Sequence, residues 1–114
     1  MPRLKEWLFI NAMGVAVKPE VQSGGHEIAK TRLFGKVYDD KRCSSISNEF
    51  DDGHRVVTSP VFEINWKERY VKTRSGTIYN LEGNPNQTYV EWLEQAGLWE
   101  GLRDQLLPPI SQMN

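Results

Sequence analysis

The chain has 114 residues, a formal net charge of -1, and 39% hydrophobic, 25% charged and 11% aromatic residues. That length fits one domain able to bury a core. The balance excludes a disordered tail, a collagen-like repeat and a molecule whose whole field seeks polyanions, and a single cysteine, Cys43, excludes an internal disulfide.

In chain order, Glu6 to Val17 (EWLFINAMGVAV) reads as a strand, with Gly14 marking a bulge or break. Lys18 to Glu27 is turn-rich, and Gly24-Gly25 marks a connection. Thr31 to Asp40 alternates as a strand. Leu33, Gly35 and Val37 fall on one side and Phe34, Lys36 and Tyr38 on the outer side. Lys41 to Arg55 is polar and rich in Ser, Asn and Asp, which predicts a long loop ending in the turn Asp52-Gly53. Val56 to Trp66 reads as a strand interrupted at Ser59-Pro60; Pro60 has no N–H to give a ladder, so it belongs at an edge or a bulge.

Lys67-Glu68-Arg69 is the next turn, and Tyr70 to Leu81 continues as strand. Within it, Ser75-Gly76 admits three readings, one of them a polar loop flanked by Lys72 and Arg74 that grips a phosphate or a partner, which loses ground because no helix N-terminus follows to supply amide donors. A straight strand keeps Val71, Thr73, Ser75, Thr77, Tyr79 and Leu81 on one face. A two-residue hairpin turn sets Val71 opposite Asn80 and mixes apolar with polar residues on each face. The pattern therefore favours one strand kinked at Gly76.

The period changes after residue 83. Thr88 and Glu91 have the spacing of a capping box. Val90 and Leu93 follow at helical spacing, with Gly97 as the stop. A second short helix, Leu98 to Leu107, carries Leu98, Leu102 and Leu106 and ends at Pro108-Pro109. Strands followed by helices predict an α+β fold, a small antiparallel β-sheet packed against C-terminal helices. The chain reads as a single domain, residues 1–114, strand-rich over 1–83 and helical over 86–107.

Few residues carry the marks of a reaction. His26 and His54 lack metal-motif context, and convergence with Cys43 and Asp52 on zinc would need the fold to assemble all four. Nothing marks Cys43 as an activated nucleophile. Asp39-Asp40 and Asp51-Asp52 sit beside turns, where Asp is favoured for local hydrogen bonding. The expectation is a protein without catalytic residues, cofactor or metal.

The informative residues are aromatic and charged. Of Trp7, Trp66, Trp92 and Trp99, two or three are expected in the core, with Trp99 and then Trp66 the candidates for an exposed anchor. Between Trp66 and Arg74, the bases Lys67, Arg69, Lys72 and Arg74 face one acid, Glu68, a local charge of +3. With Tyr70 they could hold single-stranded nucleic acid. From Glu82 onward there are five acids and one base, a charge of -4. Such a face can block a basic groove on a partner. The candidate partner-binding residues are Lys67, Arg69, Tyr70, Lys72, Arg74, Trp99, Glu100 and Asp104.

The run TSPV, then VKTRSGTIYNLEG and a helix beginning TYVEWL, resembles the strand pattern of small bacterial and phage domains of unknown function. The matching positions are Thr58, Ser59, Pro60, Thr73, Ser75, Tyr79 and Leu81, within Arg55 to Leu93. The resemblance brings no catalytic residue. It implies a phage or mobile-element context, in which small proteins bind and disable host machines, CRISPR effectors included. The expectation is therefore a non-enzymatic protein that binds a host protein or ribonucleoprotein complex as an inhibitor of host defence (anti-CRISPR-like). The alternative is a single-stranded nucleic-acid-binding module. The apolar run Trp7 to Ile10 is too short for a signal peptide or a membrane span. A cytoplasmic protein is expected (host cell cytoplasm if phage-encoded), with no membrane partner. It would act as a monomer, or as a homodimer through an open edge strand.

Overall fold

Five runs of alternating apolar and polar residues form strands β1 (Arg3–Ile10), β2 (Arg32–Tyr38), β3 (His54–Asn65), β4 (Tyr70–Thr73) and β5 (Ile78–Leu81). Helices α1 (Gln87–Gln95) and α2 (Trp99–Leu106) follow. The structure, a computed structural model, describes residues 2–21, 25–38 and 54–107. Of the loop expected over Lys41 to Arg55, residues 41–53 with Cys43 and Asp51-Asp52 lie outside the described residues, as do Asp39-Asp40 and Pro108-Pro109, while His54 and Arg55 open β3. The α+β fold is as the sequence predicts: each strand pairs antiparallel with the next, and two helices follow.

The sheet closes into a barrel in the order β1-β2-β3-β4-β5. In a five-stranded meander the first and last strands run the same way, so the closing pair must be parallel. Leu4 accordingly lies beside Leu81, and Glu82 N donates to Leu4 O at 2.9 Å. The Arg3 guanidinium, through Nη1, reaches both Glu82 carboxylate oxygens at 3.0 Å across the same seam. The closure is partial along the strands: only Arg3 and Leu4 of β1 pair with β5, and β3 pairs with β2 over His54–Pro60 and with β4 over Val61–Asn65.

Bulges set which residues face inward. In β1, Leu4, Trp7 and Phe9 are all fully buried, although the first two are three residues apart. An extra residue between Lys5 and Leu8, with Glu6 at φ +50°, shifts the phase by one. The strand ends at Ile10, not Val17. Residues 11–16 turn back, with Asn11 Oδ1 accepting from Met13 N and Val15 N, and Gly14 at φ +81° lies in that turn. In β2, Leu33 and Val37 are buried as expected. Gly35 is required by close packing: a Cβ there would lie 2.8 Å from Leu4 Cγ and 2.9 Å from Lys5 O.

β3 runs twelve residues without interruption, with register shifts on both sides of Pro60. Pro60 thus sits at a bulge, and its carbonyl still accepts from Arg74 N at 2.8 Å.

The stretch from Tyr70 to Leu81 is a hairpin, not a kinked strand. Val71 pairs with Tyr79, Tyr70 with Asn80 and Lys72 with Ile78. The loop is three residues, Arg74 to Gly76. Gly76 N donates to Thr73 O at 2.9 Å, Thr73 N to Thr77 O at 3.0 Å, and Gly76 takes φ +91°. This is a turn closed by a left-handed glycine. Adding one residue to the loop moves the register by one. Val71 and Thr73 then share the inner face with Tyr79 and Leu81, and all four are buried.

Both helix ends of α1 are built from side chain and sequence. Asn86, not Thr88, is the N-cap; its side chain accepts from Thr88 N and Tyr89 N at 2.9 and 3.2 Å. At the other end Leu98 N reaches Leu93 O and Gly97 N reaches Glu94 O, with Gly97 at φ +75°. This left-handed stop is the one expected at Gly97. An aromatic chain joins barrel to helix: Trp7 lies 6.2 Å from Trp66, Phe9 6.5 Å from Tyr89, and Tyr89 stacks on Trp92 at 5.8 Å. The Tyr89 hydroxyl donates to Val17 O at 2.6 Å.

Candidate protein-binding groove

The basic stripe does not hold together as one surface. Arg69 is buried at the turn between β3 and β4, with φ +56°. Its Nη2 donates to Gly83 O at 3.0 Å and Leu106 O at 3.3 Å, and its Nη1 to Leu107 O at 3.3 Å. The guanidinium lies 5.9 Å from the Trp7 ring centroid, and burial pulls its pKa below the usual arginine value. It is a pin that ties the end of α2 to the barrel, where the negative end of the helix dipole favours a cation. This corrects its place among the partner-binding residues.

The others scatter. Arg74 is exposed in the hairpin loop and ion-paired with Glu27, and that hydrogen-bonded pair holds the Glu27 carboxyl below its ordinary range. Tyr70 donates from its hydroxyl to Glu63 Oε2 at 2.8 Å. Lys72 lies 5.8 Å from the Phe62 ring, and Lys67 is exposed in the turn. Phe62, 64% exposed, is the exposed aromatic of this face; sequence phase alone missed it because the bulge beside Pro60 turns it outward.

A concave surface among the described residues lies elsewhere. A cleft of about 600 Å³ runs between α2, the segment 18–21 and the end of β3. Its walls are Ile64, Trp66, Leu98 and Leu102, all half-buried and packed on the core from one side. The expected exposed anchor Trp66 is therefore a wall, fixed by contacts with Trp7 and Phe9. Along α2 the leucine row Leu98, Leu102, Leu106 runs beside a second row, Gly97, Gly101 and Gln105, which also lines the cleft. Leu106 is fully buried, so the helix is anchored while its upper turns stay open to the groove. Lys18 and Glu20 supply charge at the rim.

A smaller cleft adjoins this one at Gly97 and is lined by Glu94, Trp99 and Glu100. Trp99 is half-buried against the core rather than fully exposed, but it lines this cleft beside Glu100. Two of the predicted contact residues are thus brought together, and Asp104 stands exposed on the same helix. Glu100 is 85% exposed in its side chain, with Arg103 at 3.8 Å. Apolar walls beside clustered carboxylates suit an apolar ligand carrying positive charge.

Among the described residues no group of three or more His, Cys, Asp or Glu is placed to hold a metal ion, and no helix is long and apolar enough to cross a membrane. His26 and His54 are both exposed. Comparison with protein families, with curated proteins and with solved structures yields no match. The groove is a feature that sequence reading missed. Its available signal was the pair Gly97 and Gly101, one helical turn apart beside a leucine row.

Proposed function

We propose that this chain is a non-enzymatic binding protein that seats a partner protein in the groove beside α2. The observation that supports this most is the groove itself: half-buried Ile64, Trp66, Leu98 and Leu102 lining an open cleft of about 600 Å³. A cleft of that size lies in the range that holds ligands, and fixed aromatic and aliphatic walls are what binding anchors need. The resemblance of the strand pattern to phage and bacterial domains supplies the context. The partner is a host protein or ribonucleoprotein complex in the cytoplasm, and the effect is inhibition of host defence. The nucleic-acid alternative loses support, since Arg69 faces inward and Arg74 is engaged by Glu27.

The test is affinity capture from bacterial extract with the wild type and Leu102→Glu, with thermal melts confirming that both fold. The captured protein is then purified and titrated. The wild type should bind it at least about tenfold more tightly than Leu102→Glu, the cost expected for spoiling a central apolar wall. Equal affinity for the two would sink the proposal.

A further inference from the structure

The groove's shape and charge allow a narrower statement about its occupant, resting on the protein-binding reading above. We infer that it takes a single amphipathic helix of the partner, carrying lysine or arginine beside its apolar face.

Three observations carry this. First, the groove is walled by side chains of α2 and of the end of β3, and there β3 already pairs with β4 along Val61–Asn65. Strand addition reads backbone groups, whereas a helix laid in a groove reads apolar side-chain walls of this kind.

Second, Gly101 sits in the third position of α2, where glycine costs a helix about 1 kcal/mol relative to alanine. The fold does not call for it. Its φ is not left-handed, and a Cβ built there meets nothing within 4 Å among the described residues. Gly97, by contrast, is needed for the left-handed end of α1. With Gly97, Gly101 leaves bare backbone along the groove, and small residues let a second helix approach closely.

Third, the cleft adjoining the groove is acidic. Glu94 and Glu100 line it, with Arg103 3.8 Å from Glu100, and Lys18 and Glu20 balance one another at the groove's own rim. Glu94 and Glu100 flank Trp99 where the two clefts meet at Gly97. A cation leaving the apolar groove at that point meets two carboxylates and an indole. Charge complementarity therefore selects a basic flank over an acidic one.

The experiment uses the full chain and three synthetic peptides of equal length. One is an amphipathic Leu/Lys helix, one its Leu/Glu counterpart, and one a Lys peptide with the leucines scrambled off a common face. Binding is followed by calorimetry and by the fluorescence of the tryptophans. The Leu/Lys helix should bind at least about tenfold more tightly than either control. Gly101→Leu, which favours α2 yet fills the groove, should weaken that binding at least about tenfold with the melt unchanged or higher. Glu94→Gln with Glu100→Gln should weaken it about three- to tenfold, and added salt should do the same to the wild type. Equal binding of the Leu/Lys helix by Gly101→Leu would overturn the inference. Tighter binding of the Leu/Glu peptide, lost in Gly101→Leu, would overturn the charge assignment and leave the groove a protein site. An apolar dye displaced by Gly101→Leu, with no peptide bound, would overturn both this inference and the protein-binding reading.

Discussion

Replacing Arg69 separates a structural cation from a surface one. Three carbonyls, of Gly83, Leu106 and Leu107, lose a charged donor in Arg69→Ala. These acceptors lie near the end of α2 and can be rehydrated, so the low end of the range applies. At about 1 kcal/mol each, the loss is about 3 kcal/mol. For a domain of this size that is a fall in Tm of roughly 10–15 °C. The backbone adds a second handle. Arg69 sits at φ +56°, where a side chain costs about 1–2 kcal/mol. Arg69→Gly loses the same hydrogen bonds but relieves that strain, so it should be about 1 kcal/mol more stable than Arg69→Ala. Arg69→Lys keeps the charge without the planar fork and should fall between wild type and Arg69→Ala. Urea unfolding gives the three energies, and amide exchange locates the damage: α2 should lose protection before the barrel. If Arg69→Ala melts within about 2 °C of wild type with α2 protection intact, the pinning role is wrong.

Three further outcomes follow from local geometry. Asn86→Ala should cost about 1 kcal/mol by removing the cap of α1, whereas Thr88→Ala should stay within about 0.5 kcal/mol, both read by denaturant unfolding. Burial raises the Tyr89 phenol well above its ordinary pKa of 10.0, so the folded state holds its proton longer than the unfolded chain. Its contribution is complete below pH 10 and is lost as pH rises toward the folded value; Tyr89→Phe should flatten this part of the stability–pH curve relative to wild type. Gly35→Ala should cost about 1–3 kcal/mol, because the new methyl meets Leu4 and the Lys5 carbonyl; an unchanged melt would mean the β1–β2 packing is looser than described.

Sequence periodicity read the elements well where one residue per position decides the face. β2, with Leu33 and Val37 inward, and the left-handed stop at Gly97 are examples. It failed where an inserted residue moved the phase. The Arg74–Gly76 loop is one residue longer than the two-residue turn considered, and that residue restores the apolar pairing of Val71 with Tyr79. The bulge at Glu6 does the same for Trp7, and the one beside Pro60 turns Phe62 out. Charge was legible as composition but not as surface. Arg69 and Arg74 lie five residues apart in sequence, yet one is spent on the end of α2 and the other on Glu27. The groove depends on how α2 and the end of β3 come to line one cleft, a tertiary relation at which only Gly97 and Gly101 beside the leucine row hinted.

The most direct test of the groove as the binding surface is chemical-shift mapping of the labelled chain against the captured partner protein. Perturbations should concentrate on residues 18–21, 64–66 and 97–105, with the Trp66 and Trp99 indole signals among the largest. Shifts confined to Lys67, Lys72, Arg74 and Phe62, with α2 silent, would contradict it and return the contact to the β3–β4 face.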